Sequence, residues 1–205
     1  MYKILLRKFY SRPTLDVAKD LLGCVLVRKI TPVKSGKAGA RSGEQFDGVK
    51  EIRAIITETE AYVGEDDLAS HASKGRTPRT ELMYGEAGHA YVYLVYGMYN
   101  CLNIVTEKKD FPAAVLIRAV KIEAVEYKKT NGPGKLCKVL EIDKNLNGLD
   151  VTLGEKMWIE SSRSRATGQA QQKEIVANKR IGIDYARHCK EYLWRFTLKE
   201  YTGRK

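Results

Sequence analysis

Two runs of alternating apolar and aromatic residues, Ala90 to Tyr96 and Asn100 to Val105, flank the break Tyr96-Gly97-Met98-Tyr99, and that arrangement commits the middle of the chain to an antiparallel hairpin. A strand from Glu51 to about Tyr62 precedes it, and a continuous apolar strand from Ala113 to Ile122 follows it. Shorter strands are expected at Cys24 to Ile30, Lys156 to Ile159 and Leu193 to Lys199. A short amphipathic helix follows Pro13, with Thr14 as its N-cap, Leu15, Ala18, Leu21 and Leu22 at helical spacing, and Gly23 as its stop. Gly132-Pro133-Gly134-Lys135 opens a second helix. There is no internal repeat and no second core with its own linker, so the fold expected is one α+β domain over residues 1–205 with a mainly antiparallel sheet. Residues 32–50, rich in Gly, Ser and Lys with almost nothing to bury, read as a flexible insertion.

The charge balance narrows the partners. With 36 Lys and Arg against 25 Asp and Glu, the formal charge is +11, the footprint of a polyanion binder. The bland alternative is a generically basic or ribosome-associated protein. Cys24, Cys101, Cys137 and Cys189 are scattered, with no CxxC pair and no metal-ligand spacing, which predicts reduced thiols in an intracellular protein without a metal. No apolar run reaches the roughly 20 residues of a membrane span, so a soluble protein that is not secreted is expected.

Against this basic background, a few residues are hard to assign to packing alone. By period two, Ile56, Glu58, Glu60 and Tyr62 share one face of their strand, and two carboxylates with a tyrosine do not make a dry core. Arg118 sits inside Ala113-Ala114-Val115-Leu116-Ile117-Arg118-Ala119-Val120, where an unpaired charge is costly to bury, so it needs a carboxylate, a phosphate or a held water. Taken alone, a structural Glu–Arg pair accounts for it somewhat better than a catalytic one. His71 lies in the irregular segment 63–88, from which it could fold back toward Glu60; His89 and His188 carry no comparable context. Five of the twelve tyrosines fall between 84 and 99, two of them at the hairpin break, where a large exposed ring wants a partner. On a basic protein such a ring can wedge into a base stack.

Read in order, Thr57-Glu58-Thr59-Glu60-Ala61-Tyr62, His71, Thr77-Pro78-Arg79, Tyr91-Val92-Tyr93, Tyr96-Gly97-Met98-Tyr99, Asn103, Leu116-Ile117-Arg118-Ala119 and Gly132-Pro133-Gly134-Lys135-Leu136 closely resemble the alkyladenine (3-methyladenine) DNA glycosylase family. The resemblance runs from about Lys8 to Leu198 and is weakest at 32–50 and 161–177. It implies a curved antiparallel sheet with surrounding helices and a protruding hairpin, similar to a formyltransferase C-terminal domain. It also implies a monofunctional base-excision enzyme without metal or organic cofactor, acting as a monomer on duplex DNA carrying damaged purines, and nucleoid-associated in the cytoplasm if bacterial. Residue by residue, Glu60 matches the general base and Arg118 the residue that helps to hold the attacking water. Tyr62 and Tyr93 match the walls that stack the extruded base, and His71 the third side of that pocket. Asn103 matches the pocket asparagine set against the guanine 2-amino group. Tyr96 matches the residue that fills the vacated stack, and Met83 and Leu116 match residues of the DNA-facing surface.

The chemistry agrees with those residue types. Cleaving a C1′–N bond creates an oxocarbenium-like centre, which a carboxylate can serve by orienting water and balancing the charge. Arg118 beside Glu60 is expected to keep that carboxylate ionised. No second acid is obviously placed to protonate a neutral leaving base; a cationic base needs none. A helix-hairpin-helix glycosylase would require a catalytic aspartate after the Gly-Pro-Gly loop, where only Asp143 and Asp150 are available, in turn-like or extended surroundings. A non-catalytic RNA- or ribosome-binding protein would use the tyrosines as stacking platforms and leave the Glu60 and Arg118 pairing unexplained.

Overall fold

The computed structural model describes residues 3–31, 49–161 and 173–203, so most of the expected insertion at 32–50 lies outside the described residues. Eight strands join in one antiparallel sheet: β1 Val25–Ile30, β2 Lys50–Val63, β3 Ala90–Val95, β4 Tyr99–Val105, β5 Ala113–Lys121, β6 Met157–Glu160, β7 Ile175–Asn178 and β8 Arg195–Leu198. The path runs β3-β4-β5-β2-β1-β6, with β8 also on β2 and β7 on β8. The α+β architecture expected from the sequence is therefore present, with a curled antiparallel sheet.

β2 organises the sheet. At 14 residues it is long enough to be shared: β5 runs along one edge, while the other edge pairs with β1 through Ile55 and with β8 from Glu58 to Glu60. Helices α2 (Thr14–Asp20) and α3 (Pro133–Val139) close one face. Val17, Ala18, Leu21 and Leu22 with Leu136, Cys137 and Leu140 pack there against Ile56, Ala61, Leu102, Ile104, Val115 and Ile117 in the main core. The opposite face carries the candidate site.

The face of β2 on which each residue lies is set by an irregularity that period-two reading misses. The β2–β5 register breaks between Ile56 and Glu58 and again between Glu58 and Thr59, leaving Thr57 and Arg118 without a register partner. Each strand thus carries one extra residue, and the two offset each other. Ile56 belongs to the core with Ala61, whereas Glu58, Glu60 and Tyr62 look the other way, so Ile56 does not share their face as expected. On β5 the same switch puts Ile117 and Val120 in the core and leaves Arg118 on the site face.

Two smaller differences have local causes. Pro13, not Thr14, is the N-cap of α2; Thr14 is its first residue, and its N–H and hydroxyl both donate to Glu107 Oε1, at 2.7 and 2.9 Å. Helix α1 (Arg7–Tyr10) and strand β7 were not expected, because four residues are too few to show a period. All four cysteines are free and buried, and among the described residues no helix is long and apolar enough to cross a membrane.

Candidate active site

The antiparallel registers place Glu60 beside Leu116, Leu116 beside Asn103, and Asn103 beside Tyr91, a single row across β2, β5, β4 and β3. Above that row opens a cleft of about 410 Å³, and Glu60, Tyr62, His71, Met83, Tyr93, Tyr96, Asn103, Leu116 and Arg118 all line it. Residues up to 58 positions apart in sequence are thus brought to one concavity by four neighbouring strands and the segment folded over them.

Glu60 is fully buried at the cleft floor. Its Oε2 accepts from the Tyr62 hydroxyl at 2.8 Å, its Oε1 accepts from the Ile181 backbone N–H at 3.0 Å, and Arg118 Nη1 stands 3.4 Å from Oε1. Burial raises the Glu60 carboxyl above the ordinary carboxylate range. Arg118, the Ile181 amide and the Tyr62 hydroxyl pull it down, Glu58 pushes it further up, and the sum remains upward. Arg118 acts in the expected direction, favouring the ionised carboxylate, but desolvation is the larger influence. Tyr62 is shifted in the same direction, pushed well above its usual value by burial and by Glu60, which keeps that phenol protonated as the donor.

Arg118 is shared. Its Nε lies 3.4 Å from Glu58 Oε1, to which Arg195 Nη1 donates at 2.7 Å. Arg195, Glu58, Arg118 and Glu60 thus alternate in sign across β2, from the β8 side to the β5 side, with the guanidinium of Arg118 between Glu58 and Glu60.

The aromatic side of the cleft is built by a second group. His71 opens the 3₁₀ turn His71–Lys74; its Nδ1 bonds the Tyr91 hydroxyl at 2.9 Å, and its ring meets that of Tyr93 edge-on at 4.5 Å. His71 thus keeps company with Tyr91 and Tyr93, while Glu60 is partnered by other groups. Burial, with Arg79 and Lys74 nearby, depresses the imidazole to about 4, so it is neutral near pH 7. Asn103 is buried and its amide donates to the Tyr91 carbonyl at 3.2 Å. Met83 and Leu116, expected to line the DNA-facing surface, are only 2% and 4% exposed and form inner walls of the cleft.

The mouth is different in kind. Tyr96 is 89% exposed at the hairpin tip, with Met98 also exposed. Tyr96 and Gly97 have φ of 51° and 69°, and Met98 N–H donates to Val95 O at 3.1 Å, so both centre residues of the turn are left-handed. Such turns favour Asn-Gly, and a tyrosine at the first position carries backbone strain of about 1–3 kcal/mol. Just behind the hairpin tip, a Cβ added to Gly134 would stand 2.9 Å from Tyr99 Cβ, so the Gly-Pro-Gly opening of α3 serves close packing against the start of β4.

Sequence reasoning did not single out Arg180, Ile181, Tyr185, Arg79 or Arg195. Arg79 does stand in the block Thr77-Pro78-Arg79, and its guanidinium carbon lies 5.6 Å from the centre of the Tyr93 ring. For the others, the only sign is an isolated apolar pair, Ile181 and Ile183, around Gly182 in a charged stretch.

Comparison with known proteins decides the family. Residues 43–202 match the family model described as methylpurine-DNA glycosylase (MPG). This chain belongs to that family. It is accordingly a DNA glycosylase, a hydrolase of N-glycosyl bonds, and DNA is its partner. Among relatives of this glycosylase, one from Methanocella arvoryzae is 47% identical over 206 residues, covering 94% of this chain and 91% of its own length. Relatives from Sodalis glossinidius and Clostridium acetobutylicum are 45% and 43% identical, covering 94% and 95% of this chain and 95% and 94% of their own lengths. All three carry the name "Putative 3-methyladenine DNA glycosylase".

Proposed function

We propose that this glycosylase flips alkylated or deaminated purines, of the 3-methyladenine, hypoxanthine and ethenoadenine type, out of duplex DNA and hydrolyses the bond to the sugar. The observation that carries the reading is Glu60: a fully buried carboxylate held by three groups at the floor of a cleft whose sides are Tyr62, Tyr93 and His71. Such a carboxylate is expensive to bury and is well placed to act on a sugar presented from above. Water attacks C1′, Glu60 takes its proton, and the bonding pair leaves with the base; a cationic base departs neutral, and a neutral base takes up a proton delivered by water. Arg118 orients that water and balances Glu60.

Tyr62 and Tyr93 stack the extruded base, and His71, neutral near pH 7, offers its free ring nitrogen to the base edge. Asn103 stands where a guanine 2-amino group would collide. Tyr96 occupies the space the nucleotide leaves, a step in which stacking returns about 1–3 kcal/mol against the few kcal/mol that flipping costs. Met83 and Leu116 shape the walls beneath. The glycosylase acts on DNA as a monomer.

The test is single-turnover excision from duplex oligonucleotides carrying each lesion. A free base and an intact abasic strand are expected; strand cleavage through a Schiff base overturns the monofunctional reading. Because Glu60 must be ionised to accept the proton, the acid limb of the rate profile should lie above the ordinary carboxylate value of 4.5.

A further inference from the structure

The family resemblance gives no role to the segment after β7, yet it supplies one of the three groups on Glu60. We infer that the buried ion pair between Asp67 and Arg180 is the positioning device of the site, fixing the Glu60 carboxylate through the Ile181 amide and the Tyr62 ring through the guanidinium face. This inference rests on the reading of Glu60 as the general base.

The geometry is specific. Both side chains are completely buried, and Arg180 donates through Nη1 and Nη2 to the two oxygens of Asp67 at 2.5 and 2.8 Å. The same nitrogens reach the carbonyls of Ala61 at 2.9 Å and Cys189 at 3.2 Å. Arg180 is therefore bolted to β2 between Glu60 and Tyr62, and to the 3₁₀ turn Arg187–Glu191. Its guanidinium carbon sits 4.8 Å from the Tyr62 ring centre and 5.1 Å from that of Trp194, so the cation is held between two aromatic faces. The next residue delivers its N–H to Glu60 at 3.0 Å. Asp67 meanwhile accepts from the N–H groups of Val63 and Ala69, at 3.3 and 3.1 Å, the latter two residues before His71.

Stability does not account for this arrangement. A buried ion pair is weak evidence of stabilisation, because desolvating two charges offsets their attraction, and a well-packed apolar pair of similar volume does as well or better. Among the described residues, Arg180 Nε is also buried without a hydrogen-bond partner. What a planar, bidentate guanidinium provides and an apolar side chain does not is direction. Here the direction is used twice, on the carboxylate and on the ring beside it.

The readout is the ionisation of Glu60, which is faced by Glu58 and Tyr62 on β2, Arg118 on β5, Tyr93 on β3, Cys101 on β4, and Arg180 with the Ile181 amide. The Ile181 hydrogen bond lowers the Glu60 pKa, so loosening it should move the acid limb of single-turnover excision upward. Three forms of the full chain test this. Arg180→Lys keeps the charge and loses the fork. Asp67→Asn releases the fork from its anchor. Replacing Ile181 by its α-hydroxy acid analogue turns the amide into an ester, removing only the N–H while preserving the ion pair and both side chains. The ester form should shift the limb up by about one pH unit, the scale set by carboxylates that accept two or three amides. Arg180→Lys and Asp67→Asn should shift it in the same direction.

A merely structural role would lower the fraction of active enzyme, counted by its single-turnover amplitude, and leave the limb in place; that outcome overturns the proposal. If both side-chain variants fail to fold, the ester form decides alone, and an unmoved limb there overturns it equally. Failure of the underlying reading looks different: Glu60→Gln would then retain turnover.

Discussion

The floor of the cleft and the tip of its hairpin are only a few residues apart in function, yet they are built on opposite principles. At the floor, Glu60 is fully buried and each of its oxygens has a partner, drawn from β2, β5 and the segment after β7. At the tip, Tyr96 is 89% exposed on a strained left-handed turn, and nothing in the fold calls for a ring there. On the proposed reading, Glu60 acts on one bond with one proton and is held from several sides, because small displacements cost rate steeply. Tyr96, on the same reading, enters a base stack and is held out in water, because its partner arrives with the substrate. The difference teaches that chemistry and recognition are separable in this molecule, and substitutions should separate them.

The sharpest break is Glu60→Gln. It should reduce single-turnover excision by about 10²–10⁴-fold or more while lesion-DNA affinity, measured by anisotropy, stays near that of the native chain. Tyr96→Ala should do the reverse, weakening lesion binding by about 5- to 150-fold, the equivalent of ~1–3 kcal/mol of lost stacking, with the bond-breaking step on prebound DNA less affected. Equal losses in both measurements for either variant would merge the two regions into one.

A smaller effect concerns what braces the tip. Gly134→Ala places a methyl 2.9 Å from Tyr99 Cβ just behind the turn, and overpacking of this kind costs about 1–3 kcal/mol in a denaturant melt. The hairpin should shift, and DNA affinity should fall with stability while the acid limb of the rate stays put.

The smallest effect is a slope. His71 is depressed from 6.5 to about 4 in the fold, so its neutral form contributes stability that is complete above pH 6.5 and is lost as the pH falls toward about 4. His71→Gln should flatten the dependence of Tm on pH within that window. A slope unchanged by the substitution would assign it to other groups.

How far the sequence could be read follows from the range of each signal. Strand identity is local: the hairpin at 90–105, the apolar run of β5 and the long β2 were all legible from a handful of neighbours, and so were the two longer helices. The side-chain parity around Ile56 was not, because the bulge at Thr57 is meaningful only against the matching one at Arg118 on another strand. The nine candidate residues were named from motifs, and the fold brings all of them to one cleft, but Met83 and Leu116 carry no mark that distinguishes an inner wall from an outer one. Arg180 and Ile181 were missed for a stronger reason. A backbone amide has no residue type, and its aim at Glu60, 121 positions away, exists only in three dimensions.

By itself, then, the sequence determined the kind of protein: an antiparallel α+β chain of strong positive charge, whose spaced acid, arginine and tyrosines mark its family. Those are properties of composition and short-range order, carried by each segment separately. Tertiary structure alone decided that Glu60 is dry, that burial outweighs Arg118 in setting its pKa, and that the third group on it is an amide steered by Asp67 and Arg180. Desolvation and hydrogen-bond direction depend on everything packed around an atom, and no stretch of chain contains that information until the strands meet.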